Sequence, residues 1–210
     1  MTVSQHARSR GVRLPRSERR AQLLAVAREV FVGCGYHASS MDEIAERAGV
    51  SKPVLYQHFP GKLDLYLALL DESCASLVVA VDASLKSTQD NHERVEALLA
   101  AYFTFVDDPD GAFRLVFESD LTQESAVRAI IDDVNVRCAV LVGSVIADET
   151  ELDEAQAQLL GYGLIGLAQT SARAWLAAGA VIPREQAQSI AASLAWRGIS
   201  DFPRGGHARI

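Results

Sequence analysis

A chain of 210 residues, 49% of them apolar and 22% charged, can bury one large or two small cores and is too apolar to be disordered. No window approaches the ~18 uninterrupted apolar residues of a membrane span, and the Met-Thr-Val-Ser-Gln start followed by arginines lacks the apolar centre of a secretion signal, so a cytoplasmic protein with no membrane partner is expected. The net charge of −7 is unevenly placed: residues 1–62 carry ten Lys or Arg against five acids, and the rest of the chain is strongly acidic, which fits a basic head that meets a polyanion and a body held off it.

Residues 1–15 lack periodicity, and Gly11 and Pro15 oppose helix there. With Arg8, Arg10 and Arg13 they read as a flexible basic arm, suited equally to a solvated tail and to contacts with phosphates or a minor groove. A head follows over residues 16–62. Ser17 is placed to cap a first helix whose Leu23, Leu24, Ala27, Val30 and Phe31 form an apolar stripe. Arg16, Arg19 and Arg20 lie toward the arm, as phosphate contacts or plain surface charges.

Ser40 and Glu43 have capping-box spacing, and Met41, Ile44, Ala45 and Ala48 then share one helical face. Gly49 supplies a left-handed corner, Val50 plugs it, and Ser51 caps a second short helix that tolerates Pro53 in its first turn. In that helix Leu55 and Phe59 face inward, leaving Lys52, Pro53, Val54, Tyr56, Gln57 and His58 outward. A solvated face is normally Glu, Lys and Arg; this one has no acid and only one permanent positive charge. It suits a groove of double-stranded DNA, where Lys52 and Tyr56 reach phosphates, Gln57 pairs with a base edge and Val54 meets a thymine methyl. The pattern is a helix-turn-helix, against the bland alternative of a helical hairpin without a partner. The hydroxyls of Ser39 and Ser40 suit phosphate as well as capping, and Lys62 adds its charge to the positive end of the next helix as a phosphate anchor.

The run from Arg19 through Phe31, Gly35-Tyr36, Met41 to Val50, and Ser51-Lys52-Pro53-Val54-Leu55-Tyr56 to Phe59 and Lys62 resembles the DNA-binding domain of TetR-family transcriptional regulators. The resemblance covers about the first third of the chain. It implies an all-α protein: a three-helix DNA-binding head, then a helical effector-binding and dimerisation domain over 63–199. The Arg13-Leu14-Pro15-Arg16 lead-in and the Tyr56-Gln57-His58-Phe59 end of the second short helix are similar to actinobacterial members that sense long-chain acyl-CoA and control fatty-acid synthesis.

A long helix from Lys62 to about Lys86 joins head to body, and further helices are expected over 91–107, 111–119, 124–148, 153–178 and 183–198. Leu98, Tyr102 and Phe105 line one face of the first of these, and Phe113 and Phe117 follow in the next. Such a stripe is ordinary core chemistry. The resemblance nonetheless implies an effector cavity in the body, and Leu85, Leu98, Tyr102, Phe105 and Phe117 are the candidates to line it around an apolar ligand such as a long-chain acyl-CoA. The last two helices are rich in Gly and Ala, which let backbones approach closely. With Leu164, Leu167, Trp175, Leu194 and Trp196 they fit either a homodimeric four-helix bundle or packing within one subunit. Residues 200–210 read as a flexible tail.

Enzyme chemistry is not supported. The five histidines are scattered without metal-ligand spacing, no nucleophile elbow or phosphate loop is present, and no cofactor is implied. Cys34, Cys74 and Cys138 are far apart and fall in helical patterns, which favours packing over disulfides or catalysis. Two functions remain in competition: a ligand-responsive homodimeric regulator on a palindromic operator, and an acyl-ligand-binding or scaffold protein whose helix-turn-helix is diverted to protein contacts.

Overall fold

The computed structural model describes residues 14–108, 113, 115, 121 and 123–199. Among these are eight α-helices and no strand: α1 Arg16–Ala38, α2 Met41–Arg47, α3 Lys52–His58, α4 Lys62–Lys86, α5 Asn91–Val106, α6 Ser125–Glu149, α7 Glu154–Ala177 and α8 Arg184–Ile199. These spans agree with the sequence reading to within a residue or so. The expected helix over 111–119 falls almost wholly outside the described residues, as do Arg13, Phe117 and the tail.

The start of α1 differs from expectation. Pro15, at φ −51° and ψ 153°, occupies the cap position, and its carbonyl accepts from the Arg19 amide at 2.9 Å. Ser17 is already inside the helix, because proline's fixed φ brings the chain into helical register without a hydroxyl cap. The apolar stripe holds: Leu23, Ala27, Val30 and Phe31 are buried. Gly35, at φ 79°, then kinks the chain before it turns into α2.

Helix α1 packs on α2 and α4, and α2 on α3, so the head closes around Ile44, Leu55, Phe59 and Leu65. Helix α4 has 25 residues and spans about 37 Å at 1.5 Å per residue. Its first half is buried in the head through Leu65, Tyr66 and Leu69; its second half reaches α5 and α6 through Leu77, Val81 and Leu85. In the body α6 lies along α7, while α5 contacts α7 and α8. Arg184 of α8 pairs with Asp107 at the end of α5 at 3.2 Å. The apolar core is continuous from Leu23 to Ala195, so no solvent layer separates head from body.

Candidate nucleic-acid interface

The corner between α2 and α3 is built as its residues dictate. The Ser40 Oγ accepts from the Glu43 amide at 3.1 Å, which supplies one half of the capping box; the Glu43 carboxylate turns instead to Arg47, one helical turn on, at 2.9 Å. At the other end Ala48 is the cap and Gly49 has φ 64°. The Val50 amide donates to Ala45 O and the Gly49 amide to Glu46 O, both at 3.0 Å, forming a Schellman closure that needs the left-handed residue. Gln22 of α1 adds a bond from Nε2 to Ala48 O at 3.2 Å. Ser51 occupies the cap position of α3 without a side-chain cap bond, since Pro53 brings no amide and Val54 N already donates to Ser51 O at 2.9 Å.

Helix α3 is sided as its pattern requires. Leu55 and Phe59 are buried, whereas Ser51, Lys52, Pro53, Tyr56 and Gln57 are exposed, Tyr56 to 46%; Val54 and His58 are half-buried. Lys52 keeps its exposure although its Nζ pairs with the Asp42 carboxylate at 2.6 Å, a bond that raises its pKa. The amino end of α1 runs beside the carboxyl end of α3. The Arg20 guanidinium stands 4.5 Å from the Phe59 ring centroid, and the charges of Arg16, Arg20 and Arg19 add to burial in holding the His58 imidazole below its ordinary range. Arg16 and Arg20 are exposed there. Tertiary structure thus gathers these arginines, left in the sequence as contacts or plain charges, onto one edge with the α3 face. No local signal marks that proximity, because the residues are about forty positions apart.

Two expected phosphate contacts are placed differently. Ser39 is only 4% exposed, and its hydroxyl donates to Tyr36 O at 2.7 Å, so it closes the end of α1 and is not presented to a polyanion. Lys62 Nζ donates to Tyr36 O at 2.8 Å and to Ser39 O at 2.9 Å, and lies 4.3 Å from the Tyr36 ring centroid. Tyr36 itself packs between Phe31 and Tyr66, against α1 and α4 more than against the hairpin.

In the body, a cavity of about 140 Å³ is lined by Leu85, Val95, Leu98, Val142, Val145, Ile146, Leu160, Leu164 and Trp196, with Asn91, Arg94, Glu149 and Thr150 among its polar wall. Two of the proposed lining residues, Leu85 and Leu98, are there. Tyr102 and Phe105 are buried outside that lining. Burial drives the Tyr102 phenol far above its ordinary range; the Cys138 thiol is its polar neighbour, without a well-formed hydrogen bond. Sequence reading missed Arg94, which is 8% exposed, pairs with Glu149 at 3.2 Å and donates from Nε to Thr88 O at 3.0 Å. Its place on the buried side of α5, in phase with Leu98, was the available signal.

The dimer candidates need correction by face. Leu164 and Trp175 are buried, Leu167 is half-buried, and Trp196 lines the cavity and packs at a tilt against His92, with ring centroids 5.1 Å apart. The Trp175 Nε1 donates to Ile182 O at 2.9 Å, which closes the α7–α8 turn within the subunit. Of the five, Leu194 alone is open, at 64% exposure. It shares its outward surface with Ile190, and Leu159, 73% exposed, and Tyr162 are outward on α7. Selection by size and hydrophobicity picked core residues; the helical phase decides which face is free.

A sharply cornered helix pair, an acid-free exposed face on its second helix and a basic edge beside it, carried by a long helix into an all-helical body, define the class of helix-turn-helix transcriptional regulators. Comparison with known proteins agrees. Residues 23–69 match the model for bacterial regulatory proteins of the tetR family, and residues 91–198 match the tetracyclin repressor-like C-terminal domain. The chain belongs to the TetR family of bacterial transcriptional regulators; it is a DNA-binding regulator and not an enzyme. It is 44% identical to the HTH-type transcriptional activator FasR of Mycolicibacterium smegmatis over 92% of this chain and 89% of that protein. It is similar in fold to a tetR-family regulator from Streptomyces coelicolor, with TM-score 0.70, 28% identity, and 90% and 86% of the two chains covered. The fold is also that of FadR from Bacillus subtilis, solved in complex with stearoyl-CoA, with TM-score 0.70, 19% identity, and 85% and 98% covered. Among the described residues no helix is long and apolar enough to cross a membrane, and no group of three or more His, Cys, Asp or Glu could hold a metal ion.

Proposed function

We propose that the protein is a homodimeric regulator of lipid metabolism that binds a pseudo-palindromic operator through α3 and changes its affinity when a long-chain acyl-CoA enters the body. The exposed face of α3 carries this reading: Tyr56 and Gln57 stand out from the head with Lys52 and Pro53 beside them, in a surface that holds no acid of its own. Gln57 reads a base edge, Val54 a thymine methyl, and Ser40, Ser51, Lys52, Tyr56 and Arg16 meet phosphates. Arg13 extends that contact along the backbone. The outward Leu159, Tyr162, Ile190 and Leu194 form the dimer face, which brings two α3 helices to one side of a duplex.

The comparisons support the ligand class, since a Bacillus subtilis relative is named fatty acid metabolism regulator protein and a structural neighbour was solved with stearoyl-CoA. A cavity of about 140 Å³ has room for a ligand portion of benzene size, because an engineered cavity of roughly 150 Å³ holds benzene. A long acyl chain therefore has to part α5 from α6 and α7, and α4, which ends at this cavity, moves with them.

The test is operator binding by fluorescence anisotropy, using DNA upstream of the gene itself, over a salt series and with added palmitoyl- or stearoyl-CoA. A dimer making ~6 phosphate contacts gives a slope of log K against log salt near −5. The acyl-CoA should change the operator affinity, and the operator should change acyl-CoA affinity by the same factor. Salt-independent binding, or no effect of any acyl-CoA, would end the respective half of the reading.

A further inference from the structure

Lys62 is the first residue of α4, and its ammonium is committed to backbone. It donates to Tyr36 O near the end of α1 and to Ser39 O at the cap, the residue directly before Ser40, whose hydroxyl caps α2. One charged group therefore ties the start of α4 to the place where the chain passes from α1 into α2. The Tyr36 ring beneath it is fixed on its other sides by Phe31 and Tyr66, the latter one turn further along α4 at 5.3 Å, edge to face. The Tyr66 hydroxyl in turn donates to Leu115 O at 3.3 Å, so the same stretch of α4 is attached to the body. Farther along, Glu72 of α4 pairs with Arg28 of α1 at 3.5 Å. Helices α1 and α4 are thus joined at two points a few turns apart, and a tilt of α4 has to carry the hinge before α2 with it.

We propose that Lys62 is a positioning residue: it sets the orientation of the α2–α3 pair on α4 and transmits the tilt of α4 to the DNA-reading surface, in place of contacting a phosphate. Charge-assisted bonds to two carbonyls are strong and directional, and with the Tyr36 ring also against it the ammonium is drawn toward the protein and away from a strand. The inference rests on the reading that this chain binds DNA through α3, and it assigns to Lys62 a role that its charge and position at a helix start do not indicate.

The experiment compares the full-length wild-type protein with Lys62→Met, which keeps the stem and removes the ammonium. Expected for the variant is a loss of operator affinity of about tenfold or more with the salt slope unchanged. Palmitoyl-CoA should bind the free variant as it binds the wild type, while its effect on operator affinity falls toward onefold. A phosphate contact predicts the opposite pattern: two charges fewer per dimer make the slope shallower by about 1.8, with the ligand effect intact. That pattern overturns the inference and leaves the regulator reading standing, whereas absence of salt-dependent binding by the wild type overturns the regulator reading itself. A wild-type measurement covers the case of a variant that does not fold. Acetic anhydride labelling read by mass spectrometry should modify Lys62 of the free protein much more slowly than Lys86, and equal rates would remove the basis of the proposal.

Discussion

Gly161 of α7 lies directly against Ala139 of α6: a methyl group on the glycine would overlap the Ala139 carbonyl oxygen and stand 3.0 Å from the Gly143 amide nitrogen. The α6–α7 crossing is set by backbone on backbone, with no flexible side chain to give way. Gly161→Ala is expected to destabilise the protein by about 1–3 kcal/mol through overpacking. Chemical denaturation should show a lower midpoint, and Gly163→Ala, at a site open to space, should not.

The proposed dimer face is the outward side of α7 and α8, distinct from the core. Leu194→Glu or Ile190→Glu should yield a monomer by analytical ultracentrifugation with helical content retained, because both side chains are open in the subunit. Trp175→Ala removes a buried ring that packs on Phe103 at 5.6 Å and should cost about 3–5 kcal/mol of folding stability.

Removal of the proposed reading groups on α3 should leave the scaffold untouched. Tyr56→Ala and Gln57→Ala alter exposed side chains, so thermal stability should stay within about 0.5 kcal/mol of wild type. Operator affinity measured by anisotropy should drop. For Gln57 the loss should concentrate at one base pair, with about 1–3 kcal/mol of discrimination gone there.

His58 sets a pH dependence of definite sign. Burial, then the neighbouring charges of Arg16, Arg20 and Arg19, hold its folded pKa below the ordinary 6.5. The unfolded chain therefore binds more protons in the window below 6.5, and stability rises with pH there. The contribution is fully present above 6.5 and is lost as pH falls through the depressed folded value. His58→Gln should flatten the lower part of the curve of denaturation midpoint against pH. If the operator is bound through α3 as proposed, its phosphates beside the imidazole favour the charged form, so binding should tighten as pH falls from about 7 to 6, and the Gln variant should lose that gain.

The local half of this protein is legible from residues a few positions apart. Capping by Ser40, the left-handed corner at Gly49, the inward Leu55 and Phe59, the span of α4 and the all-helical body all follow from 3.6-residue periodicity and turn chemistry, which act within one or two turns of chain. Tertiary structure decided the rest. It turned Ser39 and Lys62 inward onto backbone carbonyls, gathered Arg16, Arg19 and Arg20 around His58, put Trp196 and Arg94 at the cavity, and left Leu194 open while burying Trp175. Each of these outcomes depends on what stands across from a side chain in another helix. Charge, size and hydrophobicity say which residues can fill such a place, but the crossing of α1 with α4 and of α5 with α8 determines which one does.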